Sequence, residues 1–310
     1  MIAFGPVPSR RLGHSLGINN IPPKICTYSC IYCQLGITND VRVKRGAFYE
    51  PSKILQDVKN KVKNARERNE SIDYLTFVPD GEPTLDINLG KEIELLKKMG
   101  IKVAVITNAS LIWMKDIQND LCRADWVSLK IDAVSKEIWR EINRPHESLD
   151  INKILQGILE FSKIFDGELT TETMLIRNVN DGYEEIKKIS HFIAKIRPEK
   201  SYISIPTRPP AEEWAKPADE NAINMAYQIF KEKSINVEYL IGYEGNAFAF
   251  TGNAKEDLLS ITSVHPMRED GIREYLKKAD ANWDIIEQLI EENRLVEIKY
   301  QGKKFYMRKI

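Results

Sequence analysis

The stretch "IKVAVITNASLIWMKDIQNDLCRADWVSLKIDA", residues 101–133, decides the fold. It begins with a β-branched run, "IKVAVITNAS", continues with the helical spacing of "LIWMKDIQNDLCRA", and ends in a second apolar run, "DWVSLKIDA". Two strands joined in this way by a helix form a βαβ unit, in which the strands lie parallel. Both runs are almost continuously apolar, as expected of strands that are covered on both faces. The stretch therefore predicts a parallel sheet with helices packed against it.

The same alternation of apolar runs and helical segments extends over residues 51–210. Helices are predicted in "PSKILQDVKNKVKNARERN", "KEIELLKKMG", "SKEIWREIN", "DINKILQGILEFSKIF" and "GYEEIKKISHFIAKIRP". Further strands are predicted in "SIDYLTFVPDGEP", "GELTTETMLIRNVND" and "KSYISIPTRPP". Short strands that alternate with helices form a parallel sheet, either open or closed into a barrel. The sequence therefore predicts an α/β fold.

Polar residues follow the predicted strands at their carboxyl ends. They are Asp80-Gly81-Glu82, Thr107-Asn108, Lys130 with Asp132, Arg177 and Arg208. In parallel α/β folds the ligand lies at this edge of the sheet, so these residues predict a functional site. Within "WVSLKID" the alternation of side chains also places Ser128, Lys130 and Asp132 on one face of the strand. Such a polar face inside a barrel is costly unless it meets a ligand.

A second unit is predicted over residues 260–310, after a connecting or barrel-extending segment at 211–259. Its pattern predicts a helix at 267–278, a helix at 282–293 and a hairpin whose two strands flank the turn Gln301-Gly302. Two helices followed by a hairpin are the outline of a winged helix, so a small C-terminal winged-helix domain is predicted.

The hairpin of this unit is strongly basic. Between positions 299 and 309 it carries no acid and five cations, which are Lys299, Lys303, Lys304, Arg308 and Lys309. A basic edge of this kind can contact phosphates in a salt-dependent way. A winged helix can also bind a peptide, which adds a strand to the hairpin edge, and edge lysines can act simply as protection against unwanted pairing. RNA and a peptide or protein are therefore both candidate substrates of this unit.

Charge and composition exclude several classes of protein. Lysine plus arginine and aspartate plus glutamate both number 45, so no global field attracts nucleic acid or an anionic membrane. No apolar run approaches the length of a membrane span, and the N-terminal "MIAFGPVPSRRLGHS" lacks the features of a signal peptide. These observations predict a cytoplasmic protein without a membrane partner, in which clustered cysteines bind metal or act in catalysis.

Three of the four cysteines lie within "KICTYSCIYCQLG", residues 24–36. A structural zinc site would require a fourth ligand close in the fold, and His14 is the candidate because no second cysteine pair exists. A ferredoxin-type cluster would require four cysteines. The fourth, Cys122, lies in "NDLCRADW", a helix on which a buried structural thiol is expected. A third possibility is a 4Fe-4S cluster on three cysteines whose fourth iron stays open to a non-protein ligand.

The spacing C-x3-C-x2-C, formed by Cys26, Cys30 and Cys33 with Tyr32 before the last cysteine, favours the third possibility. "CTYSCIYC" resembles the signature of the radical S-adenosylmethionine (radical SAM) superfamily, and the resemblance extends in motif order over residues 1–210. It implies a partial, TIM-like (β/α)6 barrel, with the cysteines on a loop at residues 22–40.

The resemblance also implies cofactors and a reaction. S-adenosylmethionine would chelate the open iron of a 4Fe-4S cluster bound by the three cysteines. One electron from the cluster would then cleave S-adenosylmethionine to methionine and a 5′-deoxyadenosyl radical. This radical abstracts hydrogen from an unidentified substrate, for which RNA, a peptide or protein, and a small metabolite are the candidates. The hard chemistry belongs to the cofactors, while the protein orients the reactants. Such an oxidoreductase implies a reducing partner such as flavodoxin or ferredoxin.

Roles for single residues follow from the same resemblance. Gly81 and Glu82 in "PDGEPTL" match a Gly-Gly-Glu turn that binds the amino group of S-adenosylmethionine, although Asp80 replaces the first glycine. Further contacts to this cofactor are implied for Tyr32, at its adenine, and for Thr107, Asn108, Ser128 and Arg177. The candidates for catalytic or substrate-binding residues are Lys130, Asp132, Glu172 and Arg208.

Within the superfamily, "FGPVPSRRLGHSLGIN" and "DGEPTL" are similar to the branch that contains the wyosine-base synthases of tRNA. Those enzymes carry a second iron-sulfur cluster on cysteines ahead of the main motif, whereas no cysteine precedes Cys26 here. The substrate is therefore left open. The alternative from another class is a winged-helix, DNA-binding regulator in which an iron-sulfur cluster acts as a sensor.

Overall fold

The structure is a computed structural model that describes residues 2–242 and 245–309. The strands are β1 (Ala3–Ser9), β2 (Gly13–Ile18), β3 (Ile25–Cys26), β4 (Asp40–Val41), β5 (Tyr74–Phe77), β6 (Lys102–Thr107), β7 (Trp126–Lys130), β8 (Glu168–Met174), β9 (Lys200–Ser204), β10 (Val237–Leu240), β11 (Met267–Arg268), β12 (Leu295–Tyr300) and β13 (Lys303–Arg308). The helices are α1 (Pro51–Glu67), α2 (Leu89–Lys97), α3 (Lys115–Leu121), α4 (Lys136–Asn143), α5 (Ile151–Phe161), α6 (Tyr183–Ile196), α7 (Glu220–Glu232), α8 (Ala254–Val264), α9 (Glu269–Lys278) and α10 (Asp284–Glu291). A 3-10 turn at Pro83–Leu85 completes the set.

Eight of the described strands form one sheet in the order β1-β2-β5-β6-β7-β8-β9-β10. β1 pairs antiparallel with β2, and each later pair of neighbours is parallel. At least one helix follows each parallel strand from β2 to β9, which gives six strand–helix units, and β10 adds a further parallel strand. The curled, open sheet confirms the predicted α/β fold with a partial TIM-like barrel.

The helices cover the outer face of this sheet because their apolar residues recur at helical spacing. In α1, Pro51 begins the helix, and Ile54, Val58, Val62 and Ala65 form a buried stripe along one side. The stripe belongs to the large core between sheet and helices. Strand residues whose side chains point outward, such as those of β7, belong to the same core, as the nearly continuous apolar runs predict.

The inner face of the curl holds a smaller core. Leu12, in the turn between β1 and β2, packs there with Ala104, Trp126, Tyr202 and Leu240. Trp126 is the first residue of its strand, so this packing fills the lumen near the amino end of β7. Lys130, Glu172 and Ser204 lie on the same face toward the carboxyl ends of their strands, where the predicted site lies.

The C-terminal part forms a unit with its own core. α8, β11, α9, α10, β12 and β13 follow one another, and the three strands pair in the order β11-β13-β12. The two predicted helices and the hairpin around Gln301-Gly302 are confirmed. The winged-helix assignment and the domain boundaries at 1–210, 211–259 and 260–310 stay predictions. Residues 211–259 contain α7 and β10 and the first part of α8.

This C-terminal unit packs directly on the barrel. Its apolar core includes Phe4 and Val7 of β1. On the polar side, Lys61 of α1 lies 2.8 Å from the buried carboxylate of Asp257. At the other end, the Tyr300 hydroxyl donates to the Pro206 carbonyl at 3.1 Å, in the loop that follows β9. The unit therefore contacts both the first strand of the sheet and a loop at the carboxyl ends of the strands.

Two expectations about single features have clear outcomes. None of the helices in the described ranges combines the length and apolarity needed to cross a membrane. The expectation that Cys122 is buried is wrong, because its side chain is exposed. It lies at the residue that ends α3, where its neighbours Leu121 and Ala124 point inward and the thiol is left on the solvent side.

A carboxyl group is buried behind the turn that follows β5. Glu92, in the first turn of α2, is 1% exposed and lies beside Asp86, which is fully buried. Burial and the charge of Asp86 raise the pKa of Glu92 well above the usual glutamate range. Glu92 therefore holds a proton in the folded protein that the unfolded chain releases near neutral pH.

We expect the free energy of unfolding to fall as the pH rises from about 5 to about 8, since the raised pKa of Glu92 stabilises the folded state only where the proton is retained. The substitution Glu92→Gln removes this titration and should reduce the fall by about 1–2 kcal/mol. Urea denaturation of the apo protein across this range measures the effect. Glu94→Gln, an exposed position on the same helix, is the control. An unchanged pH dependence in the Glu92 variant would contradict the assignment.

Candidate active site at the carboxyl ends of the strands

A cavity of about 310 Å³ opens at the carboxyl ends of the strands. Its lining includes the last residues of four neighbouring strands, which are Lys130 of β7, Met174 of β8, Ser204 of β9 and Leu240 of β10. The opposite wall is the cysteine loop at residues 22–40. Eight of the predicted site residues line this cavity, and they are Cys26, Cys30, Tyr32, Cys33, Gly81, Lys130, Glu172 and Arg208.

The cysteine loop is fixed by main-chain hydrogen bonds from three directions. The Ile31 amide donates to the Ile142 carbonyl at 3.0 Å, at the end of α4. The Ile31 carbonyl in turn accepts from the Glu212 amide at 2.9 Å, in the loop between β9 and α7. On its other side the loop pairs with the turn after β5 through a bridge between Ile25 and Gly81. The backbone of the cysteine loop is therefore tied to three other parts of the chain.

Gly81 is required by the close approach of these two chain segments. A Cβ atom at this position would overlap the carbonyl oxygen of Ile25, which also accepts a hydrogen bond from the Glu82 amide at 3.2 Å. The family resemblance implied that Gly81 binds the amino group of the cofactor. The close approach of Ile25 is a separate, steric reason why this position requires glycine. Beside it, Asp80 is 5% exposed and burial raises the pKa of its carboxyl group to about 7.

The three cysteine side chains are half-buried at one wall of the cavity. Burial raises the pKa of all three thiols, most clearly for Cys26, to which the Glu82 charge adds, and for Cys30, where the pKa rises to about 12. Among the described residues, no three His, Cys, Asp or Glu side chains converge closely enough to share one metal ion.

These properties test whether the cysteines suit the group that the family implies. Three thiols that line one cavity without converging on a point fit a cluster in which each thiolate binds a different iron. Burial raises the pKa of the three thiols, so a cation such as iron, which compensates the thiolate charge, favours their deprotonation. The donor set therefore fits a 4Fe-4S cluster better than a tetrahedral zinc ion.

Glu82 lies behind the cysteine loop, next to Cys26, and holds neighbouring segments together by hydrogen bonds. The buried carboxylate accepts from the Thr84 amide at 3.1 Å, from the Thr84 hydroxyl at 2.7 Å, from the Thr107 hydroxyl at 2.5 Å and from the Asn108 amide at 2.8 Å. Burial outweighs these four bonds, so that the pKa of Glu82 is raised. Glu82 does not line the cavity, and it acts by joining the turn after β5 to the end of β6.

Asn108 connects the hydrogen-bond network of Glu82 to the cysteine loop. Its side-chain amide donates to the Thr27 hydroxyl at 2.8 Å and reaches the Cys26 sulfur at 3.5 Å. The Ser110 hydroxyl donates to the same Thr27 oxygen at 2.7 Å. The predicted pair Thr107-Asn108 is therefore brought to the site, although both residues contact protein groups rather than the cavity.

A second network joins the cysteine loop to the end of β7. The Tyr32 hydroxyl donates to the Asp132 carboxylate, which also accepts from the Met174 amide at 2.9 Å. The Asn143 amide donates to Asp132 at 2.9 Å and to the Cys30 sulfur at 3.3 Å. Asp132, predicted as catalytic, is 3% exposed and anchors its neighbours. Asn143 was missed by the sequence reasoning, because the end of a helix carries no signal of its contact to a distant cysteine.

The wall opposite the cysteines carries a charged triad of Arg11, Lys130 and Glu172. Glu172 accepts from Lys130 at 2.8 Å, from the Ser204 hydroxyl at 2.9 Å and from Arg11, which enters from the turn between β1 and β2. Burial alone would raise the pKa of Glu172, but Lys130 and Arg11 hold it well below the usual range. Lys130 also lies 5.0 Å from the centre of the Tyr32 ring. The Asp132 carboxylate lies 3.9 Å from the same Lys130 nitrogen, so two cations and two carboxylates balance one another at this wall.

The C-terminal unit reaches the rim of the same cavity. Arg208 donates to the Gln34 side chain at 3.0 Å and to the ring of His265 at 2.8 Å. These partners belong to the cysteine loop and to the residue that ends α8. Arg208 therefore links three separate parts of the chain at the cavity mouth.

Two predicted residues lie outside this arrangement. Ser128 is buried on the inner face of β7, one inward-facing position before Lys130, and does not line the cavity. Arg177 is exposed in the loop after β8, where its amide donates to the Lys216 carbonyl. The structure therefore does not bring Arg177 to the cysteines, and its contact to the cofactor stays a prediction.

Comparisons with known proteins agree with this geometry. The family model "Radical SAM superfamily" matches residues 20–193. A UPF0026 protein of Methanocaldococcus jannaschii is 48% identical over the whole of this chain and 96% of its own length. A probable dual-specificity RNA methyltransferase of a Thermotoga species is 25% identical over 69% of this chain and 61% of its own length.

Among solved structures, a radical SAM methyltransferase from Sphaerobacter thermophilus is similar with a TM-score of 0.52 and 14% identity. The match covers 73% of this chain and 66% of that one, and at this identity it shows a shared fold. The family model spans more than half of the chain, and the archaeal relative matches it from end to end. The chain therefore belongs to the radical SAM superfamily and, within it, to the UPF0026 family.

Proposed function

We propose that this protein is an enzyme that cleaves S-adenosylmethionine reductively at a 4Fe-4S cluster bound by Cys26, Cys30 and Cys33. When bound, the cluster supplies the electron for this cleavage and leaves one iron open to S-adenosylmethionine. The superfamily membership supports radical chemistry derived from S-adenosylmethionine. The single observation that carries the proposal is the placement of three thiols at one wall of a cavity whose other wall is a charged triad.

The chain's own residues divide the work between the two walls. On the cysteine side, Glu82 and Asn108 hold the loop in place from behind and leave the cavity free for the cofactor. On the opposite side, Lys130 and Glu172 face the space that a substrate would occupy, and Arg208 closes the mouth. We propose these three as the residues that orient the substrate, whereas Asp132 positions Tyr32.

The partners follow from the same proposal. An electron must reach the cluster from outside, which calls for a reducing partner such as flavodoxin or ferredoxin. The comparisons offer no support for the alternative of a DNA-binding regulator with a sensor cluster. Within the superfamily the wyosine branch is likewise left as a prediction, and the reaction catalysed on the substrate is not assigned.

Anaerobic reconstitution with iron and sulfide, followed by reduction and addition of S-adenosylmethionine, tests the proposal. We expect the wild-type protein to produce 5′-deoxyadenosine slowly in the absence of substrate. Cys30→Ser should abolish this product, because one of three thiolate ligands is lost. Cys122→Ser changes the exposed fourth cysteine and is the matched control, which should retain wild-type activity. Absence of the product from a fully loaded wild-type protein would sink the proposal.

The brace at Glu82 gives a further prediction. In Glu82→Gln one carboxylate oxygen is replaced by an NH2 group, which donates hydrogen bonds and cannot accept them. Some of the four donors around Glu82 then lose their acceptor. We therefore expect the free energy of unfolding of the apo protein to fall by about 2 kcal/mol. The cluster content after reconstitution should also fall, since Asn108 and Cys26 lose their support. Glu92→Gln replaces a buried carboxyl group whose raised pKa keeps it protonated, and it should not destabilise the protein at neutral pH. Equal stability of the two variants would contradict the role of Glu82.

RNA is the substrate class that we propose for testing first. Lys299 and Lys303 are exposed on the hairpin, and Lys299 lies directly opposite Lys304. Like charges in this position are unfavourable for the hairpin, although Glu297, 3.1 Å from Lys304, compensates one of them. The relative named as an RNA methyltransferase supports the same choice. A peptide or protein substrate is the other outcome.

Binding of unfractionated tRNA should weaken steeply with rising salt if the hairpin contacts phosphates. The double substitution Lys299→Gln with Lys303→Gln should lower the affinity and reduce the slope of log affinity against log salt by about one to two. Lys59→Gln with Lys63→Gln, two exposed positions on α1, is the control of equal charge. Equal slopes for both double variants would direct attention to a peptide substrate.

A further inference from the structure

Asn143 is the last residue of α4 and stands directly against the cysteine loop. It is 3% exposed, and its carbonyl oxygen accepts from the Ser29 amide at 3.1 Å. The next residue, Arg144, has a positive φ of 42° and turns the chain away from the helix axis. The helix end is therefore fixed beside Cys30 by backbone contacts as well as by its side chain.

The side-chain amide of Asn143 is oriented by its partners. Its nitrogen carries two hydrogens. It lies 2.9 Å from Asp132 Oδ2, 3.3 Å from Cys30 Sγ and 3.4 Å from the Tyr32 hydroxyl oxygen. One hydrogen therefore serves Asp132, and the other is shared between the Cys30 sulfur and the Tyr32 oxygen. Because the Asp132 carboxylate also accepts from Tyr32 and Met174, it cannot turn away. The second N–H of Asn143 therefore points toward Cys30, whose sulfur is the nearer of its two acceptors.

A fixed N–H dipole beside a cysteine sulfur changes the electrostatic energy of a metal cluster that the sulfur binds. Its positive end stabilises added negative charge, and the effect is strong because the group is buried away from water. Hydrogen bonds to cysteine sulfurs are among the factors that set the reduction potentials of iron-sulfur clusters. Removal of the donor should therefore make one-electron reduction less favourable.

We propose that Asn143 is a positioning residue that raises the reduction potential of the cluster bound at Cys30, through its hydrogen bond to the sulfur of that ligand. The inference rests on the proposed function, because it requires that Cys30 binds the cluster. It adds a residue that tunes how readily the cluster accepts the electron for S-adenosylmethionine cleavage. Asn143 makes no contact with substrate in this role.

Asn180 provides a matched control. It is a fully buried asparagine whose amide donates to the Asp132 carbonyl at 2.8 Å and to the Met174 carbonyl at 2.7 Å. Its substitution disturbs the same segment at the end of β7 but removes no hydrogen bond to a sulfur. A shift of potential that arises from general disturbance of this segment would therefore appear in both variants.

The test is a reductive titration of the reconstituted holoprotein, followed by electron paramagnetic resonance of the reduced cluster, with no substrate or turnover involved. For Asn143→Leu, which fills the space without a donor, we expect one-electron reduction to be about tenfold less favourable, a potential lower by about 59 mV. Asn143→Ser is the second variant, because its hydroxyl is too short to span the distance to the sulfur. Asn180→Ala should keep the wild-type potential.

Each outcome decides the inference. A lower potential in either Asn143 variant together with an unchanged potential in Asn180→Ala supports it. Unchanged potentials in the Asn143 variants, or an equal shift in all three, overturn it. If the Asn143 variants bind no cluster while Asn180→Ala does, Asn143 serves assembly and the inference is wrong. A wild-type protein that takes up no cluster overturns the proposed function itself, which separates the two failures.

Discussion

The site depends on one contact between main chains, at which the cysteine loop meets the turn after β5. The carbonyl of Ile25 comes so close to Gly81 that no side chain fits there, and it accepts the amide of Glu82. That bond places the Glu82 carboxylate behind the loop, where it accepts hydrogen bonds from the Thr107 hydroxyl and the Asn108 amide at the end of the next strand. The position of the first cysteine relative to the sheet is thus set by backbone geometry, and the polar brace behind it only becomes possible once the two segments have met.

Three buried carboxylates around the cavity illustrate how differently one chemical group can be used. Glu82 is surrounded by neutral donors and serves as a brace. Glu172 is held between Lys130 and Arg11, so it stays charged and contributes to the electrostatic field at the wall opposite the cysteines. Asp132 accepts three hydrogen bonds and orients Tyr32 and Asn143 against the cysteine loop. Only Glu172 of the three lines the cavity, which separates the groups that could meet a substrate from those that hold the wall.

The C-terminal unit contributes to the cavity mouth, because it contacts the loop after β9 that carries Arg208. His265 orients that arginine and Tyr300 binds the neighbouring Pro206 carbonyl. Any motion of the unit relative to the barrel would therefore alter the cavity mouth. The unit that carries the basic hairpin is therefore connected to the mouth of the cysteine cavity through His265 and Tyr300.

The sequence by itself determined the parallel α/β sheet, since strand and helix periods are local properties, whereas the partial barrel was implied by the resemblance to the superfamily. It also determined the cysteine triplet, since the three cysteines lie within eight positions. It also indicated Lys130 and Glu172, because charged residues on buried strands are rare enough to be conspicuous. Only the tertiary structure decided that Asn143 contacts the cysteine loop, that Arg11 lines the cavity and that Arg177 lies exposed in the loop after β8. Those outcomes depend on which loop packs where and on which partner satisfies each buried polar group, and neither is written in local spacing.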